Sequence, residues 1–274
     1  MASELRYRCI LTGCIHLTSR LLKVGFFYLY LFLQNALIVG MNLIFLDTET
    51  TGNDTAKDRL CQVCYKTSAG VRAEYFKPPV PISTKAMSIT HITNKKVADM
   101  PAFIGSEMKK ELEGLLTNGV LVAHNAEFDV AILENEGVKV PRKICTLRLA
   151  RHLDENGEIP EYNMQFLRYY FDLDVEGEAH SAEGDVNVLY ALFQKLLARV
   201  KEKFPNEDEA IAETIRISSA PMLFKKINFG KHKDKTIEEV LRTDRGYLEW
   251  LLKEKLKTGE KDPDWIYTLQ EALK

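Results

Sequence analysis

Asp47 and Glu49 stand two residues apart where an apolar run at 43–47 ends. In a strand, side chains at i and i+2 leave the same face, so two carboxylates would be thrust together. Like charges held that close repel, and a divalent cation, which prefers oxygen ligands, relieves them. Taken alone, the pair is better read as a strand ending in solvated acids. Asp129 adds a third acid in His124-Asn125-Ala126-Glu127-Phe128-Asp129, directly after a short apolar run at 120–123. Asp185 adds a fourth in His180-Ser181-Ala182-Glu183-Gly184-Asp185. Both fall in the first turn of an expected helix, where the macrodipole favours an anion, and that alone would account for them. Ala182 and Gly184 are small enough to admit a substrate backbone. His180, taken alone, is most often a surface loop histidine.

The elements that must position these groups follow from periodicity. Residues 43–47 read as a buried central strand. The stretches 60–67 and 71–77 alternate as two more strands around a turn at Ser68-Ala69-Gly70, giving an antiparallel meander. Apolar residues at helical spacing predict a helix over 104–116, and 120–123 a short buried strand. A helix follows from near Asn125 to Glu136-Gly137, with a short strand at 143–146 and helices over 146–153, 163–170 and 183–201. Strands first, then helices alternating with short strands, predict an α/β layer domain with a mixed sheet over 41–201. Residues 202–219, rich in charge and carrying one proline, read as a linker. Residues 220–274 read as a small α+β C-terminal module.

In this order and context the three acidic motifs resemble those of the DEDDh (DnaQ-like) 3′→5′ exonucleases. The family's D-x-E-T-T-G stands here as Asp47-Thr48-Glu49-Thr50-Thr51-Gly52, its H-N-x-x-F-D as His124 to Asp129, and its H-x-A-x-x-D as His180, Ala182 and Asp185. The resemblance covers about residues 42–198. It implies a ribonuclease H-like mixed five-stranded sheet flanked by helices. It also implies two divalent ions, Mg²⁺ or Mn²⁺, held by Asp47, Glu49, Asp129 and Asp185, with His180 as general base. Asp47 would bridge both ions, Glu49 and Asp185 would complete one site, and Asp129 would support the other through water. The implied substrate is a DNA 3′ end, cut to nucleoside 5′-monophosphates, in the setting of a polymerase or repair complex. RNA ends are the alternative substrate, and an inert nucleic-acid-binding subunit is the reading against which the intact acids argue. There are two departures. Gln62 stands where a glutamate is common in the second strand, and an H-G-I-T pattern appears as His91-Ile92-Thr93, without the glycine. Phe128 is either a stacking platform for a terminal base or a core residue.

The C-terminal stretch resembles the small module of exonuclease X-type proteins, with F-G-K-H-K at 229–233. Residues 227–229 and 236–237 read as a short hairpin, Thr236 and Glu239 have capping-box spacing, and Leu248, Trp250, Leu251 and Leu252 mark a further helix. Lys225, Lys226, Lys231, Lys233 and Lys235 form a basic cluster, read either as a hold on nucleic-acid backbone near the active site or as a solvated turn.

The 274 residues are 46% hydrophobic and 28% charged, ordinary for a folded chain, and the net charge of −2 argues against a protein that coats nucleic acid in bulk. An enzyme that touches only a strand end and carries its own cations needs fewer lysines. Five cysteines without a framework point to a reducing compartment, the cytoplasm, and Cys61 and Cys64 read as small residues of a strand. Residues 1–40 differ in character. Their apolar run at 24–40, interrupted by Gln34 and Asn35, reads either as an upstream extension before a true start at Met41 or as a membrane anchor.

Overall fold

The computed structural model describes residues 42–175, 182–257 and 262–274. The apolar extension and His180 lie outside them. The strands are β1 (Leu43–Thr50), β2 (Leu60–Thr67), β3 (Gly70–Tyr75), β4 (Val120–Ala123) and β5 (Lys143–Cys145). They form one sheet of order β3-β2-β1-β4-β5. β1 pairs antiparallel with β2, and β2 with β3, while β1 with β4 and β4 with β5 are parallel. The helices are α1 (Thr84–Thr90), α2 (Glu107–Asn118), α3 (Ala126–Asn135), α4 (Thr146–Leu153), α5 (Met164–Tyr170), α6 (Ala182–Lys201), α7 (Glu207–Ser219), α8 (Ile237–Thr243), α9 (Arg245–Lys257) and α10 (Pro263–Leu273).

Alternation along β1 divides the core between the two faces of the sheet. Ile44 and Leu46 join Leu121, Met108, Leu112, Leu116, Ile132 and Leu133 under α2 and α3. Phe45 joins Val120, Val122, Ile144, Leu149, Leu189 and Phe193 under α4 and α6. Each fully buried side chain of this size contributes about 1.5–3 kcal/mol. Pairing of β1 with β4 ends at Phe45 opposite Val122, whereas pairing with β2 runs on to Thr50. The second half of β1 therefore projects past the end of β4, opening a crevice at the carboxyl ends of the parallel strands, where α/β sheets place their sites. A bulge sits there: Glu49 faces Gln62 but Thr50 faces Leu60, leaving Cys61 unmatched. Bulges re-aim neighbouring side chains.

Ahead of the C-terminal module, three elements depart from the sequence expectation. α2 begins at Glu107, three residues late, because Ser106 caps it by accepting from the Lys109 backbone N–H. Ile104 is left exposed before Gly105, whose φ is +86°. α1 was not anticipated; Ser83 caps it, and of its residues only Ala86 is buried, so it has almost no apolar stripe. The expected linker at 202–219 is corrected more substantially. Asn206 caps α7, whose Ala210, Ile211, Thr214, Ile217 and Ser218 are buried against the exonuclease-side core. The Ser218 hydroxyl accepts from the Cys145 N–H at 2.8 Å and so covers the edge strand β5. The stripe is helical in spacing, but small and polar residues make up over half of it.

In the C-terminal module the expected hairpin is a single bridge, Lys226 to Thr236, around a turn at Gly230–His232. The rest is helical, packed on Ile227, Val240, Leu248, Leu251, Trp265 and Leu269. Thr236 caps α8 as its spacing indicated. The module docks on α4. Arg148 grips Asp264 of α10 through two hydrogen bonds of 2.7 and 2.9 Å and also donates to the Ala220 carbonyl. Both side chains are 13% exposed. Removing one partner of a buried ion pair strands the other charge, at a cost of about 3 kcal/mol. Arg148→Met is therefore expected to lower the urea midpoint with the m-value unchanged; an unaltered midpoint would show that the module is held by its apolar contacts alone. No helix among the described residues is long and apolar enough to cross a membrane.

Candidate active site

Asp47 and Glu49 share the β1 face of Phe45, the face on which α6 packs, and Asp185 lies in the first turn of α6. Asp129 comes from the first turn of α3 and is buried. Thr48, between the two acids but on the opposite face of β1, reaches it: its backbone N–H and its hydroxyl both donate to Asp129 Oδ1, at 3.1 and 2.7 Å. Gln165 of α5 donates to Asp185 Oδ1 at 2.8 Å. Neither Thr48 nor Gln165 was singled out by the sequence.

The four carboxylates lie within one another's fields. Burial, then Asp129, Glu49 and Asp185 in turn, push the Asp47 carboxyl well above the usual range. Burial, then Asp185 and Asp129, push Glu49 up to about 7. Asp129 is likewise pushed up to about 7 by burial, in spite of the two donors from Thr48. Among the described residues no three His, Cys, Asp or Glu side chains are closed into a ready coordination cage. The donor set nonetheless fits a hard cation: carboxylate oxygens, desolvated, mutually repelling, two of them fixed by hydrogen bonds.

The neighbouring motif residues have structural tasks. His124 is engaged at both ring nitrogens, Nδ1 with the Thr146 hydroxyl at 2.9 Å and Nε2 with the Tyr162 carbonyl at 2.7 Å. Burial lowers its pKa to about 4. Asn125, in the left-handed region at φ 65°, turns the chain into α3. Gly52 is required by crowding, since a Cβ there would stand 2.5 Å from an Asp58 oxygen. Asp58 is held in turn by the Thr51 hydroxyl and the Asp54 N–H. Phe128 is partly buried against the core. Gln62 is buried opposite Glu49. His91 ends α1 at φ 56°, in the left-handed region that favours glycine. Cys61 and Cys64 are buried in different clusters, their thiols pushed up to about 12 by burial, and they carry no thiolate for a metal.

Residues 44–193 match the RNase_T family, described as Exonuclease, and residues 227–255 match the exodeoxyribonuclease X-like C-terminal family. The chain belongs to the RNase_T exonuclease family, with an exonuclease X-like module after the catalytic sheet. It is similar to Exodeoxyribonuclease 10 of Escherichia coli (strain K12), with 30% identity over 210 residues that cover 72% of this chain and 82% of that protein. It is also similar to the PolC-type DNA polymerase III of Caldanaerobacter subterraneus subsp. tengcongensis, 28% identical over 179 residues. That match covers 62% of this chain and spans only 12% of the polymerase. The fold is shared with E. coli Exonuclease I solved with a dT13 oligonucleotide, at 18% identity and a TM-score of 0.50, over 60% of this chain and 43% of that one.

Proposed function

We propose that the chain is a divalent-metal-dependent 3′→5′ exonuclease that hydrolyses the terminal phosphodiester of DNA and releases nucleoside 5′-monophosphates. The observation that supports this reading is that burial and neighbouring carboxylates push up Asp47 and Glu49, burial pushes up Asp129, and Asp185 acts on both Asp47 and Glu49, an arrangement of net repulsion that cations turn into attraction. Asp47, Glu49, Asp129 and Asp185 would hold two Mg²⁺ or Mn²⁺ ions. When bound, such ions supply Lewis-acid stabilisation of the attacking and leaving oxygens. His180 takes the proton of the attacking water. Thr48 holds Asp129 and Gln165 holds Asp185 in the orientation that binding requires. DNA as substrate is supported by the similarity to an exodeoxyribonuclease. A polymerase or repair assembly as setting is supported by the similarity to part of a replicative polymerase. Buried free cysteines fit the cytoplasm.

The test is digestion of 3′-labelled single-stranded DNA, duplex DNA and RNA with Mg²⁺ or Mn²⁺ and an EDTA control. Mononucleotide release from DNA that EDTA abolishes is expected; degradation of RNA alone, or activity in EDTA, would overturn the reading. Gln165 provides a finer prediction. Outer groups that orient metal ligands are worth about 10–100-fold in affinity or activity. Gln165→Ala should raise the Mg²⁺ concentration for half-maximal rate about tenfold or more and leave KM for DNA nearly unchanged. An unshifted Mg²⁺ titration would remove Gln165 from the metal's support.

A further inference from the structure

The seam between the catalytic sheet and the C-terminal module holds a cleft of about 370 Å³. Arg151, Tyr162, Asn163, Phe224, Lys225 and Lys226 are among its walls. Arg148 and Arg151 lie one turn apart on α4 and meet different fates. Arg148 is neutralised by Asp264. Arg151 has no carboxylate or hydrogen-bond acceptor of its own among the described residues. Its guanidinium lies 5.1 Å from the centre of the Tyr162 ring and 5.4 Å from that of Phe224. Burial weakens its hold on its proton, yet a guanidinium stays charged at any working pH. Asp264 acts on it only at a distance. A partly desolvated cation beside two aromatic faces, with no ion pair or hydrogen bond of its own among the described residues, is suited to receive an anion with several oxygens.

Charge nearby has the same sense. Lys231 is taken by Asp244, whose carboxyl falls to about 2 through Lys231 and then His232, and Lys235 pairs with Glu239. Lys225 and Lys226 instead flank the cleft, with Lys226 tethered to the Gly157 carbonyl. Glu161 and Asp234 also line it, two acids against three cations. Two residues of the cleft's wall are tied to the segments that carry the carboxylates. Asn163 in its wall caps α5, whose next turn supplies Gln165 to Asp185, and the Tyr162 carbonyl accepts from His124.

We propose that this seam is a phosphate-binding groove in which Arg151, flanked by Lys225 and Lys226, holds a backbone phosphate of the substrate strand upstream of the cleaved bond, with the Tyr162 and Phe224 rings beside the sugar and base. The proposal rests on the nuclease reading for its substrate. Its test is binding without turnover, so the two can fail separately.

Fluorescence anisotropy in EDTA measures the Kd of a labelled single-stranded 12-nucleotide DNA for the wild type, Arg151→Met and Lys225→Gln. Methionine keeps the apolar stem, and thermal unfolding monitors the fold. Arg151→Met should weaken binding about tenfold, with the slope of log K against log salt reduced by about 0.7, the value of one phosphate contact on a single strand. Lys225 is exposed, so Lys225→Gln cannot unfold the chain, and it should weaken binding about threefold. Competition by inorganic phosphate and by a nucleoside 5′-monophosphate separates the sources. Displacement of the 12-mer only by unlabelled oligomer assigns the groove to the strand. Displacement by monophosphate at concentrations near the oligomer's Kd overturns that assignment in favour of released product. Equal Kd values and salt slopes in all three proteins would overturn the proposal, as would a lowered melting temperature in Arg151→Met with an unchanged Kd, which marks the arginine as a clamp between the units. Oligomer binding that depends on Arg151 in a protein that fails to cut DNA would sink the nuclease reading and leave the groove.

Discussion

Asp47→Asn is expected to abolish hydrolysis and yet raise the melting temperature of the metal-free protein at pH 8. The loss follows from position: Asp47 is the carboxylate that feels all three others, and the reading places it at both ions. Metal stabilisation of charge on phosphoryl oxygens is worth several kcal/mol, and a loss of about 4 kcal/mol is about a thousandfold in rate. The gain in stability follows from the sign of the pKa shifts. Asp47, Glu49 and Asp129 bind protons more tightly folded than unfolded. Their contribution is therefore fully favourable below the unfolded carboxylate range and is lost as pH rises through the folded values, about 7 for Glu49 and Asp129. Metal-free wild type should lose stability between about pH 4.5 and 7 from this source and stay low above it. Asparagine removes one charge from the cluster, so the variant should melt about 3 °C or more above wild type at pH 8, and the gap should close near pH 4. Adding Mg²⁺ should raise the wild type and leave the variant little changed. A variant that cuts DNA at the wild-type rate would refute the assignment of Asp47. One that melts lower than wild type at pH 8 without metal would refute the account of the cluster as a site of repulsion.

The acids were legible because their chemistry demands particular residues at particular offsets. Each acid alone had an ordinary explanation; the order of the three motifs, as it stands in the family they resemble, is what restricted the possibilities. Their supports were not, because many side chains can donate one hydrogen bond. Thr48 reads as strand filler until Asp129 is seen against it, and Gln165 as one polar residue in a short helix until Asp185 is. The same asymmetry governs the fold. β1, β4 and α6 were readable because their buried positions are large and apolar. α7 was read as a linker because Thr214 and Ser218 occupy buried places where the pattern requires leucine, satisfying themselves on the Ile211 and Thr214 carbonyls. His91 shows a third limit. Its residue type says nothing of a left-handed turn, and only the backbone reveals it.

His180→Ala is expected to cut turnover about 100-fold, the usual scale for loss of a general base. His180 lies outside the described part of the structure; the other histidine of the motifs, His124, lies within it. His124 is the alternative base, and its surroundings exclude it: both ring nitrogens are engaged, and burial holds its pKa at about 4. A base that weak has little driving force to take a proton from water near neutrality. Its bonds to Thr146 and Tyr162 tie the start of α3 to α4 and to the loop before α5, so His124→Ala should lower the melting temperature. His180→Ala should lower kcat with KM for DNA nearly unchanged and flatten the acidic limb of the rate profile. If His180→Ala retained full turnover at saturating Mg²⁺ and its profile kept that limb, the proton would have to leave by another route. Glu49 and Asp129 are pushed up to about 7, and metal binding would draw both far below it. The retained limb would then point away from side chains and toward the water itself as the titrating group.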